Sequence, residues 1–377
     1  MPPEESKASD KHGIIIRPST GLVSHPNEDS PALGEIMTRS MVHIQTSKAL
    51  GMRHRVGEQE LFGPDYRLVC AFAEDFRLTP DEVLRRLLLL TGKCYWETRI
   101  EDGRFKALRI DKDTLPVSSI PSIAGLVIES LSLKEGYSCL DLSMFANLTD
   151  LNWNGNQLTE LDLSQVPYLK VLACCESQLT KLDLSRVPNL MELYCWGSQL
   201  TELDISQVPN LDQLRCDGNR LTKLDLSKVP DLTWLYCNGN QLTELDLSRV
   251  INIQDLQCAE NRLTKLDLPK APDLTWLHCN GNQLAELDLS DVPNLTLLQC
   301  HGNRLAELDI SKVSKLTELD CHSNQLSELD LSNVCNLTKL WCDNNQLTEL
   351  DIRNLRNLED LHYDPAIRLI QRPDQNF

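Results

Sequence analysis

LTWLYCNGNQLTELDLSRVIN (residues 232–252), IQDLQCAENRLTKLDLPKAPD (253–273) and LTWLHCNGNQLAELDLSDVPN (274–294) are three successive versions of one 21-residue pattern. Its most regular mark is a cysteine: Cys174, Cys195, Cys216, Cys237, Cys258, Cys279, Cys300, Cys321 and Cys342 recur at one fixed interval, the length of the pattern itself. Aligned on them, the chain reads L-x-x-L-x-C-x-x-N-x-L-T-x-L-D-L-S-x-V-P-x, with full copies beginning at Leu148, Leu169, Leu190, Leu211, Leu232, Ile253, Leu274, Leu295, Leu316 and Leu337. A period of this length is one small unit stacked on copies of itself, each burying the open face of the next.

The pattern is that of a leucine-rich repeat solenoid: a parallel β-sheet on the concave face, 21-residue repeats with little or no helix, and a small α-helical cap at the N-terminal end. In the first full repeat, Leu148, Leu151, Trp153, Leu158, Leu161, Leu163 and Val166 are expected inward. The expected organisation is a disordered tail over 1–61, a helical and β cap over 62–104, degenerate leading repeats over 105–147, ten full repeats over 148–357, and a partial repeat with a C-terminal cover over 358–377.

The tail assignment rests on composition: residues 1–61 contain no Phe, Trp or Tyr, too little to bury. Met41 and Met52 leave the working start open. From Pro64 to Phe76, Val69, Phe72, Ala73 and Phe76 recur at helical spacing. A second helix starts with Thr79 as N-cap, Pro80 at the first position and Glu82 completing the capping box. Leu84, Leu87 and Leu88 give it a buried stripe, and Gly92 ends it. Cys94–Ile110 reads as strand, turn at Glu101-Asp102-Gly103, strand. Phe105-x-x-Leu108-x-Ile110 and Ile128-x-x-Leu131-x-Leu133 are the degenerate repeats, and Leu358-x-x-Leu361-x-Tyr363 opens a last coil, broken by Pro365.

Neighbouring coils of a parallel ladder lie about 4.8 Å apart with their Cβ atoms pointing the same way. A disulfide needs Cβ atoms about 3.8 Å apart, so the ladder cysteines are expected to be free thiols filling a narrow core position. With no C-x-x-C pair or His at matching spacing, zinc is not expected. So many free thiols suit a reducing cytoplasm. Asn156, Asn219, Asn240, Asn261, Asn282, Asn303, Asn324 and Asn345 form a second ladder, expected to bond backbone groups at the turn off each strand, with Ser177 and Ser198 in its place in two repeats. The Asp of L-D-[L/I]-S recurs from Asp141 to Asp351. It lacks the D-x-D-x-D loop of a calcium site, so these carboxylates are expected to accept local backbone N–H groups.

The net charge is −18, and residues 136–377 carry 19 Lys+Arg against 35 Asp+Glu. Such a surface repels phosphate backbones, so nucleic acid is not expected as a partner. No apolar run is long enough to span a membrane, and no secretory signal is read at the N-terminus. A cytoplasmic location is expected, with export through 1–61 and no cleaved signal as the alternative.

The repeat resembles the 21-residue bacterial leucine-rich repeats of the internalin family, which include repeats with a cysteine ladder. The resemblance covers about 148–364 and implies a concave sheet that binds partner proteins. No wall-sorting motif or immunoglobulin-like domain is read, so surface attachment is not expected to carry over.

Specificity is therefore sought at the solvent-facing strand positions beside the inward Leu and Cys. There stand Tyr194, Trp196, Arg215, Trp234, Tyr236, Trp276, His278, His301, His322 and Trp341. Exposed Trp and Tyr are binding anchors, because they bury much area at low entropic cost; the competing reading is mutual stacking that stabilises the sheet. His301, His322 and Asp343 share one lateral row, but without a third strong ligand no metal site is assigned. No catalytic triad, phosphate loop or paired-carboxylate cleft is read. The expectation is a monomeric, non-catalytic module without cofactor, binding a protein; carbohydrate binding and an exported effector are the alternatives.

Overall fold

In the computed structural model, the described residues are 53–56, 59–62, 69, 80, 83, 99–101, 104–110, 128–133, 142–155, 157–375 and 377. The chain divides into two compact units, residues 1–158 with 164–169, and 159–163 with 170–377. Among the described residues no helix is long and apolar enough to cross a membrane.

In the first unit, β1 (Arg53–Val56) and β2 (Gln59–Phe62) pair antiparallel, Val56 opposite Gln59. The two strands lie at the expected boundary between the 1–61 tail and the 62–104 cap. Val69, Pro80 and Val83 are helical, and Val69 and Val83 are fully buried; the other positions of the two expected helices lie outside the described residues. β3 (Arg99–Glu101) and β4 (Arg104–Ile110) pair antiparallel, as the strand–turn–strand reading has it.

From β4 onward the unit is a parallel ladder with β5 (Ser130–Leu133) and β6 (Asp150–Trp153). Leu108 pairs with Leu131 and Leu131 with Leu151, so the chain takes first a longer and then a shorter step than the later coils do. Between β5 and β6, Leu142–Phe145 forms a 3₁₀ turn with Phe145 fully buried. Trp153 is 1% exposed and fills the core position that cysteine takes in later coils. Leu161, expected inward, is half-buried.

In the second unit every coil contributes a three-residue strand to a parallel sheet. The strands are β7 (Val171–Ala173), β8 (Glu192–Tyr194), β9 (Gln213–Arg215), β10 (Trp234–Tyr236), β11 (Asp255–Gln257), β12 (Trp276–His278), β13 (Leu297–Gln299), β14 (Glu318–Asp320), β15 (Lys339–Trp341) and β17 (Asp360–His362). Each residue pairs with its equivalent in the next coil: Leu235 with Leu256, Leu256 with Leu277. The middle Leu of each strand from β7 to β15 and the Cys after it are buried. Burial raises the ladder thiols far above the ordinary range, Cys258 to about 12, because thiolate is poorly solvated there. All nine are free thiols.

The asparagine ladder closes the turn off each strand. Asn282 Nδ2 donates to the carbonyls of Cys258 and Cys279 at 3.0 Å, and its Oδ1 accepts the N–H of Leu263 at 3.0 Å. One amide thus ties its own coil to the preceding one, and Asn219 through Asn345 repeat the arrangement; Asn156 lies outside the described residues. The serines form a local substitute, with Ser177 and Ser198 hydroxyls 2.8 Å apart. Just before each ladder Asn or the Ser that replaces it the chain turns left-handed, with φ +60° to +66° at Gly197, Gly218, Gly239, Gly281 and Gly302. Glu176, Glu260, Ser323 and Asn344 adopt the same turn at φ +52° to +54°, against the preference of L side chains.

On the opposite side, Asp183, Asp204, Asp225, Asp246, Asp288, Asp309 and Asp330 each accept the N–H of the Ser two residues on at 2.8–2.9 Å. Hydrogen bonding to that Ser holds the first six carboxyls below the usual range. Pro269 has no N–H to give, and there Asp267 pairs with Lys265 at 2.9 Å instead.

Beyond Pro365 the chain does not trail away. β18 (Arg368–Ile370) pairs in parallel with β16 (Glu349–Asp351). Buried Gln375 donates to the carbonyls of Ile352 (3.0 Å) and Leu355 (2.9 Å), satisfying groups that no further coil covers.

Candidate functional site on the strand face

Alternation along each strand sends its first and third residues to the face opposite the Leu core. The constant register then lines these positions up in lateral rows. The first-position row of β9 to β13 reads Gln213, Trp234, Asp255, Trp276, Leu297, and the third-position row reads Arg215, Tyr236, Gln257, His278, Gln299. Sequence thus specifies this surface two residues per coil, while the core beneath stays constant.

Of the ten residues singled out, Trp234 (43%) and Trp276 (49%) are exposed large apolar side chains. Arg215 is exposed; Tyr194, Trp196, Tyr236, His278, His301, His322 and Trp341 are half-buried. The aromatics therefore divide: two indoles face solvent, and the others pack within the face. The Tyr194 hydroxyl lies 2.7 Å from Gln213 Oε1 and 2.9 Å from Glu192 Oε2. Trp341 meets His362 edge-on at 6.2 Å.

Three groupings result. Arg215 Cζ stands 5.1 Å from the Trp196 ring and 5.8 Å from the Tyr236 ring, and Arg215 Nε donates to Asp217 Oδ2 at 2.9 Å. This is a guanidinium held by two aromatic faces and a carboxylate.

The second grouping centres on Asp255. It is 5% exposed and accepts hydrogen bonds from the Tyr236 hydroxyl and from Gln257 Nε2 (3.3 Å). Loss of water raises its carboxyl above the usual range, against the pull of those two donors. The same loss of water raises the Tyr236 hydroxyl and lowers the His278 ring. Trp234 and Trp276 flank Asp255 on the neighbouring strands.

Third, the His301 and His322 rings stack at 4.3 Å, 12° from parallel. Asp320 serves both: Oδ1 lies 2.6 Å from His322 Nδ1 and Oδ2 3.8 Å from His301 Nε2. Burial lowers the His301 ring below the usual imidazole range. The carboxylate beside the histidines is thus the strand residue Asp320, not the row neighbour Asp343, which accepts from Asn344 Nδ2 at 2.6 Å. Among the described residues no group of three or more His, Cys, Asp or Glu is placed to hold a metal ion. Asp255 and Asp320 were not among the site residues singled out from sequence; the available signal was an acid placed between two Trp (Asp255) or beside a Trp (Asp320) in its lateral row.

The repeat, the buried cysteine ladder and the parallel sheet together make this chain a leucine-rich repeat solenoid of the cysteine-ladder kind. The leucine-rich repeat family model matches residues 315–337 and 336–358. The functional domain of InlJ from Listeria monocytogenes, which includes a cysteine ladder, is similar: 34% identity over 68% of this chain and 64% of that one, with a TM-score of 0.57. YopM from Yersinia enterocolitica WA-314 is 28% identical over 66% of this chain and 55% of its own, TM-score 0.52. An internalin, inlF, from Listeria monocytogenes str. 4b F2365 shares the fold at 19% identity, covering 83% and 96%, TM-score 0.58. The chain thus spans less than two-thirds of the InlJ and YopM chains it resembles. A comparison with curated proteins finds no match.

Proposed function

We propose that this protein is a non-catalytic interaction module that grips a partner protein with its strand face, acting in the cytoplasm as a monomer. The observation that carries this reading is the exposure of Trp234 and Trp276, two coils apart, on a face whose other aromatics are packed or hydrogen-bonded. Neither indole is explained by core packing, and aromatic side chains of this kind dominate protein interfaces. The resemblance of the repeats to those of InlJ supports the same reading.

The test compares capture of partners by the native chain with capture by a Trp234→Ala/Trp276→Ala variant. Tyr236 is left intact because its hydroxyl bonds the buried Asp255. Two hot-spot side chains at ~2 kcal/mol each correspond to roughly a thousandfold loss of affinity. A protein bound by the native chain and lost with the variant, at unchanged urea midpoint, is the expected result. Equal capture of the same proteins by both chains overturns the face assignment.

A further inference from the structure

Asp255 is a nearly buried carboxylate with two neutral donors and, among the described residues, no salt bridge; the His278 ring nearby is lowered by burial and makes no ion pair with it. The acidic neighbour of Asp255 on the face, Asp217, has an ion-pair partner in Arg215. An unpaired buried carboxylate is costly, and a carboxylate has more acceptor sites than Tyr236 and Gln257 occupy. The lateral register adds a second observation. Trp234 and Trp276 sit on the strands either side of Asp255, so their backbones are about 9.6 Å apart, twice the ~4.8 Å strand spacing. A flat cation entering between the two strands' side chains can reach both indoles, since a cation–π contact extends to ~6 Å. The floor of this slot is the carboxylate.

We propose that the slot formed by Trp234, Asp255 and Trp276 is a socket for an arginine side chain presented by the partner protein, its guanidinium held between the two indoles and paired with Asp255. This rests on the interaction reading above and names the chemistry that the face selects. The same face already holds a guanidinium in this manner, where Arg215 meets Trp196, Tyr236 and Asp217. That arrangement is filled from within the chain, whereas among the described residues no side-chain cation stacks on Trp234 or Trp276. Charge favours the assignment, since 35 Asp+Glu against 19 Lys+Arg over residues 136–377 draws basic segments to the surface. Guanidinium suits the slot better than ammonium: it is flat, so both faces can stack, and its N–H groups lie in the plane toward the carboxylate.

The experiment titrates the full chain with acetyl-Gly-Arg-Gly-amide and with its citrulline counterpart, which keeps the shape and loses the charge. The indole N–H signals of Trp234 and Trp276 are followed by NMR. The arginine peptide should bind at least about tenfold more tightly than the citrulline peptide. Asp255→Asn should remove most of that difference, and Trp276→Ala should weaken binding about fivefold, whereas Trp341→Ala should leave it unchanged. Equal affinity for the two peptides, or arginine binding indifferent to both Asp255→Asn and Trp276→Ala, overturns the socket. If Asp255→Asn does not fold, Trp234→Ala and Trp276→Ala, which remove exposed side chains, carry the decision. Capture lost with the double Trp variant but no response to the arginine peptide would refute the socket and leave the interaction reading standing.

Discussion

Replacing Asn282 with Ala removes one amide from the ladder and takes a hydrogen bond from three backbone groups in two neighbouring coils. The Leu263 N–H loses its acceptor, and the carbonyls of Cys258 and Cys279 each lose a donor, all at 3.0 Å and all buried. A buried N–H left unsatisfied costs about 1–3 kcal/mol. The carbonyls each keep a second donor, Asn261 Nδ2 for Cys258 and Asn303 Nδ2 for Cys279, and so add less, about 0.5–1 kcal/mol apiece. The sum is about 2–5 kcal/mol, a large fraction of the stability of an ordinary domain. Stacked coils contact only their neighbours, so the loss should be local before it is global. Urea unfolding followed by tryptophan fluorescence measures the total, and amide hydrogen exchange at Leu263 reports the local opening. The expected result is a lower midpoint together with faster exchange at Leu263, whereas Leu347, four coils away, stays protected. A loss smaller than that of a single ordinary hydrogen bond, about 0.5 kcal/mol, with Leu263 still protected, would refute the view that the amide is structural.

Three further outcomes follow from features already described. Iodoacetamide should label exposed Cys335 in the folded chain, whereas the nine ladder cysteines should react on the order of a thousandfold more slowly until urea opens the coils; peptide mass spectrometry reads both, and prompt labelling of Cys258 would contradict its burial. Glu260→Gly should raise stability by about 0.5–1 kcal/mol, because the ~1–2 kcal/mol penalty of the left-handed turn exceeds the entropy that glycine adds to the unfolded chain; a lower thermal midpoint would count against strain at that turn. His278 and His301 are lowered by burial, so the unfolded chain takes up protons first as pH falls from about 7 to 5. Their contribution is complete above the unfolded imidazole value near 6.5 and is lost as pH falls through the folded values. His301→Asn, which copies the residue at Asn280, should flatten the urea midpoint over this window, and an unchanged slope would exclude His301 as a source.

The repeated part of the fold was legible because its rules are periodic. The interval between Cys237 and Cys258 alone places the strand, the inward Leu and the turn, and the Asp–Ser pairs follow from local hydrogen bonding. The leading coils resisted because their steps, from Leu108 to Leu131 and from Leu131 to Leu151, are unequal and carry no cysteine to align. The pairing of β16 with β18 was hidden for another reason: it joins 349–351 to 368–370 past the last coil, and 368–370 itself carries no repeat motif. At the candidate site, periodicity placed each side chain on its row, including the aromatics. It could not show that Asp255 ends up nearly out of water, nor that His322 turns along its own strand to Asp320 rather than across to Asp343. Those outcomes depend on rotamers and on neighbours in other coils.

The constancy of the register also bears on how such a gene can change. Each coil offers its successor the same set of bonds: Cys237 N–H meets the carbonyl of Gln257, and Cys258 N–H that of His278. Excising residues 253–273 would therefore let Cys237 meet His278 with every core position still filled. It would also bring Trp234 and Trp276 onto adjacent strands, about 4.8 Å apart instead of twice that, and delete the carboxylate between them. Gain or loss of a whole coil, a frequent accident in tandem DNA, thus edits the spacing of the surface anchors in steps of one strand while sparing the interior.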